Sequence, residues 1–114
     1  MKDKSLIWFR GRVGKAAMVS KTGNAARARA VANYYAGRDK DGKAVYKSAW
    51  FSLVFAGALM ERAKTLYVGD LIEVTGEVRP VEYESNGETR HDVEIFVREL
   101  DVINKKDDED NPLS

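Results

Sequence analysis

Trp50 follows a stretch rich in cations, Arg38, Lys40, Lys43 and Lys47, and two tyrosines, Tyr34 and Tyr35, stand just before it. Flat side chains interleaved with cations suit single-stranded nucleic acid bound without sequence preference. Every base offers a π-face to stack, and every nucleotide a phosphate to neutralise. Arg27 and Arg29 add cations upstream, and Tyr83 adds an aromatic downstream between Glu82 and Glu84, whose charge opposes phosphate there. Stacking contributes about 1–3 kcal/mol per base, so two or three such platforms give useful affinity without a large net charge. The candidates from residue type and position are Trp50, Tyr34, Tyr35 and Tyr83 for stacking, with Arg27, Arg29, Arg38, Lys43 and Lys47 as cations. Trp8 shares a strand face with Arg10 and Arg12, where it fits stacking or an oligomer contact. Tyr46 and Tyr67 read as packing residues.

Catalytic chemistry finds little to work with. The one histidine, His91, has no cysteine or serine elbow near it. Asp92 and Glu94 project from one strand face but lack a third ligand in sequence, so ion pairing with nearby arginines is the better reading. Residues 11–14 (GRVG) fall far short of a phosphate-binding loop. With no cysteine in 114 residues, disulfides, thiolate zinc sites and cysteine nucleophiles are excluded. No run is long and apolar enough for a membrane span. No signal peptide is readable in the charged opening residues, so the expectation is a cytoplasmic protein without cofactor or metal.

The formal charge is +1, but its distribution is uneven. Residues 1–48 hold twelve basic and three acidic side chains, residues 49–106 hold seven and eleven, and residues 107–114 hold four acidic ones. A basic first half and an acidic end point to a polyanion partner and a separate tail.

The elements that must position these residues follow from periodicity. Residues 5–13 alternate Leu6, Trp8, Arg10 and Arg12 against Ile7, Phe9, Gly11 and Val13, the period of a strand with one apolar face. Gly14 and Lys15 are expected to open a turn, with a short extended piece at 17–20. Residues 25–35 place Ala26, Ala28, Ala30 and Ala32 on one side and Arg27, Arg29, Val31 and Asn33 on the other, a second strand. The alanines also permit a helix there. Asp41-Gly42 marks a hairpin tip. Residues 44–56 form a third strand, with Trp50, Ser52 and Val54 outward and Phe51, Leu53 and Phe55 in the core. Residues 57–68 change to helical spacing. Residues 71–80 and 90–103 return to alternation around a tip at 85–88, with Ile72, Val74, Val78, Val93, Ile95 and Val97 inward. Three strands, one short helix and two strands is the element order of an OB-fold. The expected class is all-β: a five-stranded antiparallel Greek-key barrel over residues 1–104, its helix between strands 3 and 4, followed by a short acidic tail at 105–114. Such barrels bind oligonucleotides, oligosaccharides or proteins, so fold alone does not fix function.

Over residues 5–103 the chain resembles the bacterial and phage single-stranded-DNA-binding protein family. The resemblance is carried by residues 9–15 (FRGRVGK), 23–25 (GNA), 49–57 (AWFSLVFAG) with Leu59, Glu61 and Ala63, and 69–79 (GDLIEVTGEVR). It implies base stacking on Trp50, a stacking aromatic at Tyr83, and phosphate contacts from Arg12, Lys15 and Arg79. It also implies a non-enzymatic protein that coats single-stranded DNA in replication, recombination or repair and self-associates as a dimer or tetramer. Ala56 stands where the family usually has a stacking Phe. The acidic residues 107–110 follow the barrel almost directly and lack the family's terminal Phe, which recruits replication and repair proteins; competition with DNA for the basic groove is the other expected use of the tail. The short form points to a phage, plasmid or other mobile element. An OB-fold RNA binder and a primosome-like protein-binding adaptor are the alternatives.

Overall fold

The computed structural model describes residues 4–105, so of the expected acidic tail only Lys105 lies within it. Strands β1 (Leu6–Val19), β2 (Ala25–Arg38) and β3 (Ala44–Ala56) precede helix α1 (Ala58–Ala63), and β4 (Leu71–Ser85) and β5 (Glu88–Asn104) follow it. They close into a barrel in the order β1-β2-β3-β5-β4. Neighbours are antiparallel except at the seam between β3 and β5, where Leu53 faces Ile95 and Val54 faces Phe96 in parallel. This is the OB-fold barrel expected from the element order, with its one helix between β3 and β4.

Residues 25–35 form a strand rather than a helix because their alanines complete the core. Ala26, Ala28 and Ala30 stand directly across from Phe55, Leu53 and Phe51, a small residue opposite each large one. All three alanines, with Leu53 and Phe55, are buried, and Phe51 stacks on Phe9 of β1 with ring centroids 4.4 Å apart. Burial against these partners outweighs alanine's preference for helix. Two glycines admit the close approaches that closure needs. A Cβ on Gly11 would lie 2.5 Å from the Val31 carbonyl oxygen, and one on Gly76 would lie 2.6 Å from Ile95 and 2.7 Å from the Phe96 carbonyl oxygen.

Several expectations are corrected. Gly14 and Lys15 do not turn the chain: β1 runs on to Val19 through two register shifts, so the signal of a turn is a β-bulge. The helix ends at Ala63, short of Val68. The backbone N–H of Tyr67 is taken by the Asp70 carboxylate at 2.8 Å instead of a helical carbonyl. Tyr67 and Tyr46 are exposed, not packed. Val93 points to solvent because β4 and β5 extend past the barrel as a two-stranded arm there. Val54 stands on the outward set yet is buried, at the seam where β5 closes against β3.

Asp70 pins the barrel's helical end. Fully buried, it accepts from the ammonium of Lys105 at 2.7 Å. Lys105 also donates to the Thr65 carbonyl and lies 4.4 Å from the Tyr67 ring centroid, so the end of β5 is held to the segment after α1. On the outside of β4 and β5, Glu77 bridges Arg98 at 2.5 Å and Arg79 at 3.4 Å. The hydrogen bond from Arg98 holds the Glu77 carboxyl below its ordinary range; partial burial opposes this, and Arg79 adds to it.

Two outcomes follow. Replacing Lys105 with Ala takes a charged donor from a buried carboxylate and is expected to cost about 1–3 kcal/mol. Its Tm in thermal unfolding should fall by about 5–15 °C. Glu77 contributes stability that is present above the unfolded Glu range and lost as pH falls through its lowered native value. Glu77→Gln should therefore lower the urea midpoint at pH 7, and its difference from the wild type should close as pH falls towards about 3.

Candidate nucleic-acid interface

The outer face of β1, β2 and β3 is ordered in rows by the strand register. Arg12, Val31 and Trp50 form one row, Lys15, Arg29 and Ser52 the next, and Met18, Arg27 and Val54 the third. Strict alternation from the inward Val13 would turn Lys15 into the barrel. The bulge prevents it: Val13 faces Ala30 and Lys15 faces Arg29, so two steps along β1 match one along β2 and Lys15 comes out beside Arg29. The same bulge makes room for Trp50. A Cβ on Gly14 would lie 2.3 Å from Cζ3 and 2.6 Å from Cη2 of the indole, so the ring rests over a residue that has no side chain. Half of Trp50 remains exposed, and the Arg29 guanidinium lies 5.2 Å from its ring centroid.

Two hollows of about 350 and 450 Å³ meet on this face and share Arg27, Arg29, Ser52 and Glu94. One opens toward Lys15, Met18 and the end of β1; the other runs toward Tyr83 and Val93 on the β4–β5 arm. Together they make one groove from the β1 bulge across β2 and β3 to the second arm. It carries an acid as well: Glu94 of β5 accepts from Nε of Arg27 at 2.9 Å, and this contact raises the arginine's affinity for its proton.

The structure sorts the expected site residues. Lys15, Arg27, Arg29 and Tyr83 line the groove, and Trp50 stands in the row beside it. Tyr35 continues the Trp50 face up the β2–β3 hairpin. Val31, Asn33 and Tyr35 are level with Trp50, Ser48 and Tyr46, and alternation places these pairs on one side. Tyr34, level with Lys47, lies on the opposite side of that hairpin, so Tyr34 and Tyr35 do not serve one path. Arg38 donates to the Gly42 carbonyl at 2.7 Å, and Lys43 sits in the turn, its backbone N–H held by the Asp39 carboxylate. Arg12 donates to the Gly69 carbonyl at 2.9 Å. Arg79 faces Glu94 across the β4–β5 ladder, but its guanidinium is directed to Glu77 and lies 4.2 Å from the Phe96 ring centroid. Trp8 belongs elsewhere, exposed on β1 beside Thr75 of β4.

Sequence reasoning missed Tyr46. It is the most exposed of the large apolar and aromatic side chains described, at 67%, and meets Tyr35 edge to face with centroids 5.9 Å apart. Its position two and four residues before Ser48 and Trp50 was the available signal. Glu94 was read as an ion-pairing residue, but with its neighbours on β5; its partner lies on β2. His91 is exposed and 3.3 Å from the Glu82 carboxylate. Among the described residues no group of three or more His, Asp or Glu side chains is placed to hold a metal ion, and no helix is long and apolar enough to cross a membrane.

No protein-family model matches this chain, and no curated protein matches it. Solved structures do. A small single-stranded DNA-binding protein from Streptomyces coelicolor is similar with a TM-score of 0.69 and 18% identity, over 89% of this chain and 95% of that one. A Plasmodium falciparum single-stranded DNA-binding protein, solved in complex with single-stranded DNA, gives 0.71 and 21%, over 91% and 100%. A mitochondrial single-stranded DNA-binding protein from S. cerevisiae gives 0.63 and 12%, over 92% and 100%. At these identities the likeness is one of fold, and the chain shares the barrel of these three proteins along nearly its whole described length.

Proposed function

We propose that this chain binds single-stranded DNA without sequence preference and coats it during replication, recombination or repair. The observation that carries the reading is the half-exposed Trp50 seated over Gly14 beside a groove that holds Lys15 and Arg29. Bases stack on Trp50, on the Tyr35–Tyr46 pair and on Tyr83, while Lys15 and Arg29 meet the backbone between them. Tyr46 lies four residues from Trp50 along β3, about 13 Å at the rise of an extended strand, so the platforms are spaced along one path. That three proteins with this fold carry the name of single-stranded DNA-binding proteins supports the ligand class. Leu6 and Trp8, exposed together on β1 away from the groove, offer an apolar surface for self-association as a dimer or tetramer. The acidic residues 107–110, as a recruiting or competing tail, lie outside the described residues. RNA bases offer the same π-faces to the platforms, so RNA is the second ligand to test; an adaptor that binds protein needs neither.

A Trp8→Phe protein leaves Trp50 as the only tryptophan. Its fluorescence should be quenched strongly by poly-dT, less by a matched RNA and not by duplex DNA. Quenching by RNA in preference to DNA would favour the RNA binder, and none by any polymer at low salt would favour the adaptor. In a competition or anisotropy titration with oligo-dT, Trp50→Ala should weaken binding by about 5- to 150-fold. Tyr46→Ala should weaken it by about 5-fold or more, and Tyr34→Ala by less than about 2-fold.

A further inference from the structure

Two carboxylates line the groove, Asp92 and Glu94, and Glu94 is paired with one of its cations. Glu94 leaves β5 level with Ser52, next to the Leu53–Ile95 contact of the seam, and reaches diagonally over β3 to Nε of Arg27 at 2.9 Å. Its side chain is only 19% exposed, whereas that of Arg27 is 56% exposed, so the acid lies low in the groove and the guanidinium stands above it. Both residues line both halves of the groove, and Asp92 of the same strand lines the half toward Tyr83. Of the three cations on the groove, Arg27 alone has a carboxylate partner among the interactions described. Arg29 lies beside the Trp50 ring, and Lys15 stands in the same row.

Resting on the single-stranded DNA reading, we propose that Glu94 is an affinity-limiting residue: it withholds Arg27 from the DNA backbone and leaves Lys15 and Arg29 to take the phosphates. A phosphate that approaches Arg27 meets an already neutralised pair and a fixed negative charge close beneath it. Reaching the guanidinium requires giving up a charge-assisted hydrogen bond inside the protein for one outside it. Lys15 and Arg29 pose no such exchange. The consequence is a track with fewer counterions released per strand bound, hence weaker salt dependence and easier removal of the protein from DNA. The arrangement also favours the row that contains Lys15 and Arg29, adjacent to Trp50, over the row that contains Arg27.

The opposite role is a positioning one, in which Glu94 orients Arg27 toward phosphate, and the two roles predict opposite signs. The test is an oligo-dT titration over a range of salt for wild type, Glu94→Gln, Arg27→Gln, Lys15→Gln and the Arg27→Gln/Glu94→Gln double variant. Glu94→Gln is expected to bind about 3- to 10-fold tighter at low salt. Its log–log salt slope should steepen by about 0.7, the value for one further phosphate on a single strand. The Arg27→Gln/Glu94→Gln double variant, which removes a neutral pair, should lose the gain of Glu94→Gln and stay within about 2-fold of wild type, while Lys15→Gln weakens binding by more and Arg27→Gln, which bares the Glu94 charge, weakens it too. Weaker or unchanged binding by Glu94→Gln, or a loss in the double variant equal to that of Lys15→Gln, would overturn the proposal. If Glu94→Gln does not fold, the comparison of the double variant with Lys15→Gln decides alone. If the wild type binds no oligo-dT at all, the DNA reading itself falls, a result distinct from a wild type that binds with Glu94 indifferent.

Discussion

Closure of this small barrel requires β1 to serve two neighbours. Along residues 6–12 it pairs with β4, and along residues 12–19 with β2, with Arg12 belonging to both ladders. A strand that changes partners in mid-course has to bend, and the bend is made by inserting residues at Gly14 and again before Met18. The candidate nucleic-acid face follows from that constraint. Without the bulge at Gly14, regular alternation would turn Lys15 into a core already filled by Val13, Phe55 and Ala30, and a side chain at position 14 would occupy the place of the Trp50 ring. A feature needed to close the fold thus also exposes the cation and seats the aromatic.

Charge on this surface is arranged more sparingly than the excess of bases in residues 1–48 implies. Arg10 is paired with Glu73, Arg27 with Glu94, Arg12 and Arg38 with backbone carbonyls, and Arg79 with Glu77. The acidic second half of the chain supplies the carboxylates because β4 and β5 wrap beside β1 and β3. Lys15 and Arg29 remain for a polyanion beside Trp50, and Lys40, Lys43 and Lys47 along the β2–β3 hairpin. Under the proposed function, stacking supplies much of the affinity, and the cations set the register of the backbone and the response to salt.

Much of this was legible in the sequence. Periodicity located all five strands, the single helix and the two hairpin tips, and it separated Phe51, Leu53 and Phe55 from Trp50 and Ser52. Even the alanine-rich strand was readable from its alternation, although the Phe51, Leu53 and Phe55 partners that overrule alanine's helical preference become visible only with the register of β2 against β3. The bulge was misread because Gly-Lys is also the composition of a turn, and only pairing distinguishes the two. The helix was drawn too long because Thr65 and Leu66 continue from Ala63 in tight turns bonded to the carbonyls of Arg62 and Ala63, which keep the apolar spacing of a helix without its hydrogen bonds. Tyr46 was assigned to packing for want of knowing where the β2–β3 hairpin leaves the barrel; beyond that point alternation no longer separates inside from outside. The Arg27–Glu94 pair joins residues 67 positions apart, across a seam of two parallel contacts that no local pattern announces.

The most direct test of the account is amide chemical-shift mapping of the protein on addition of a short oligo-dT. The largest changes are expected at Gly14 and Lys15, at Arg29, through residues 46–52 and at Tyr83, with Trp8 and Glu99 on the β1–β4–β5 exterior little affected. Changes concentrated around Leu6 and Trp8, or absent from the Gly14–Trp50 contact, would contradict it.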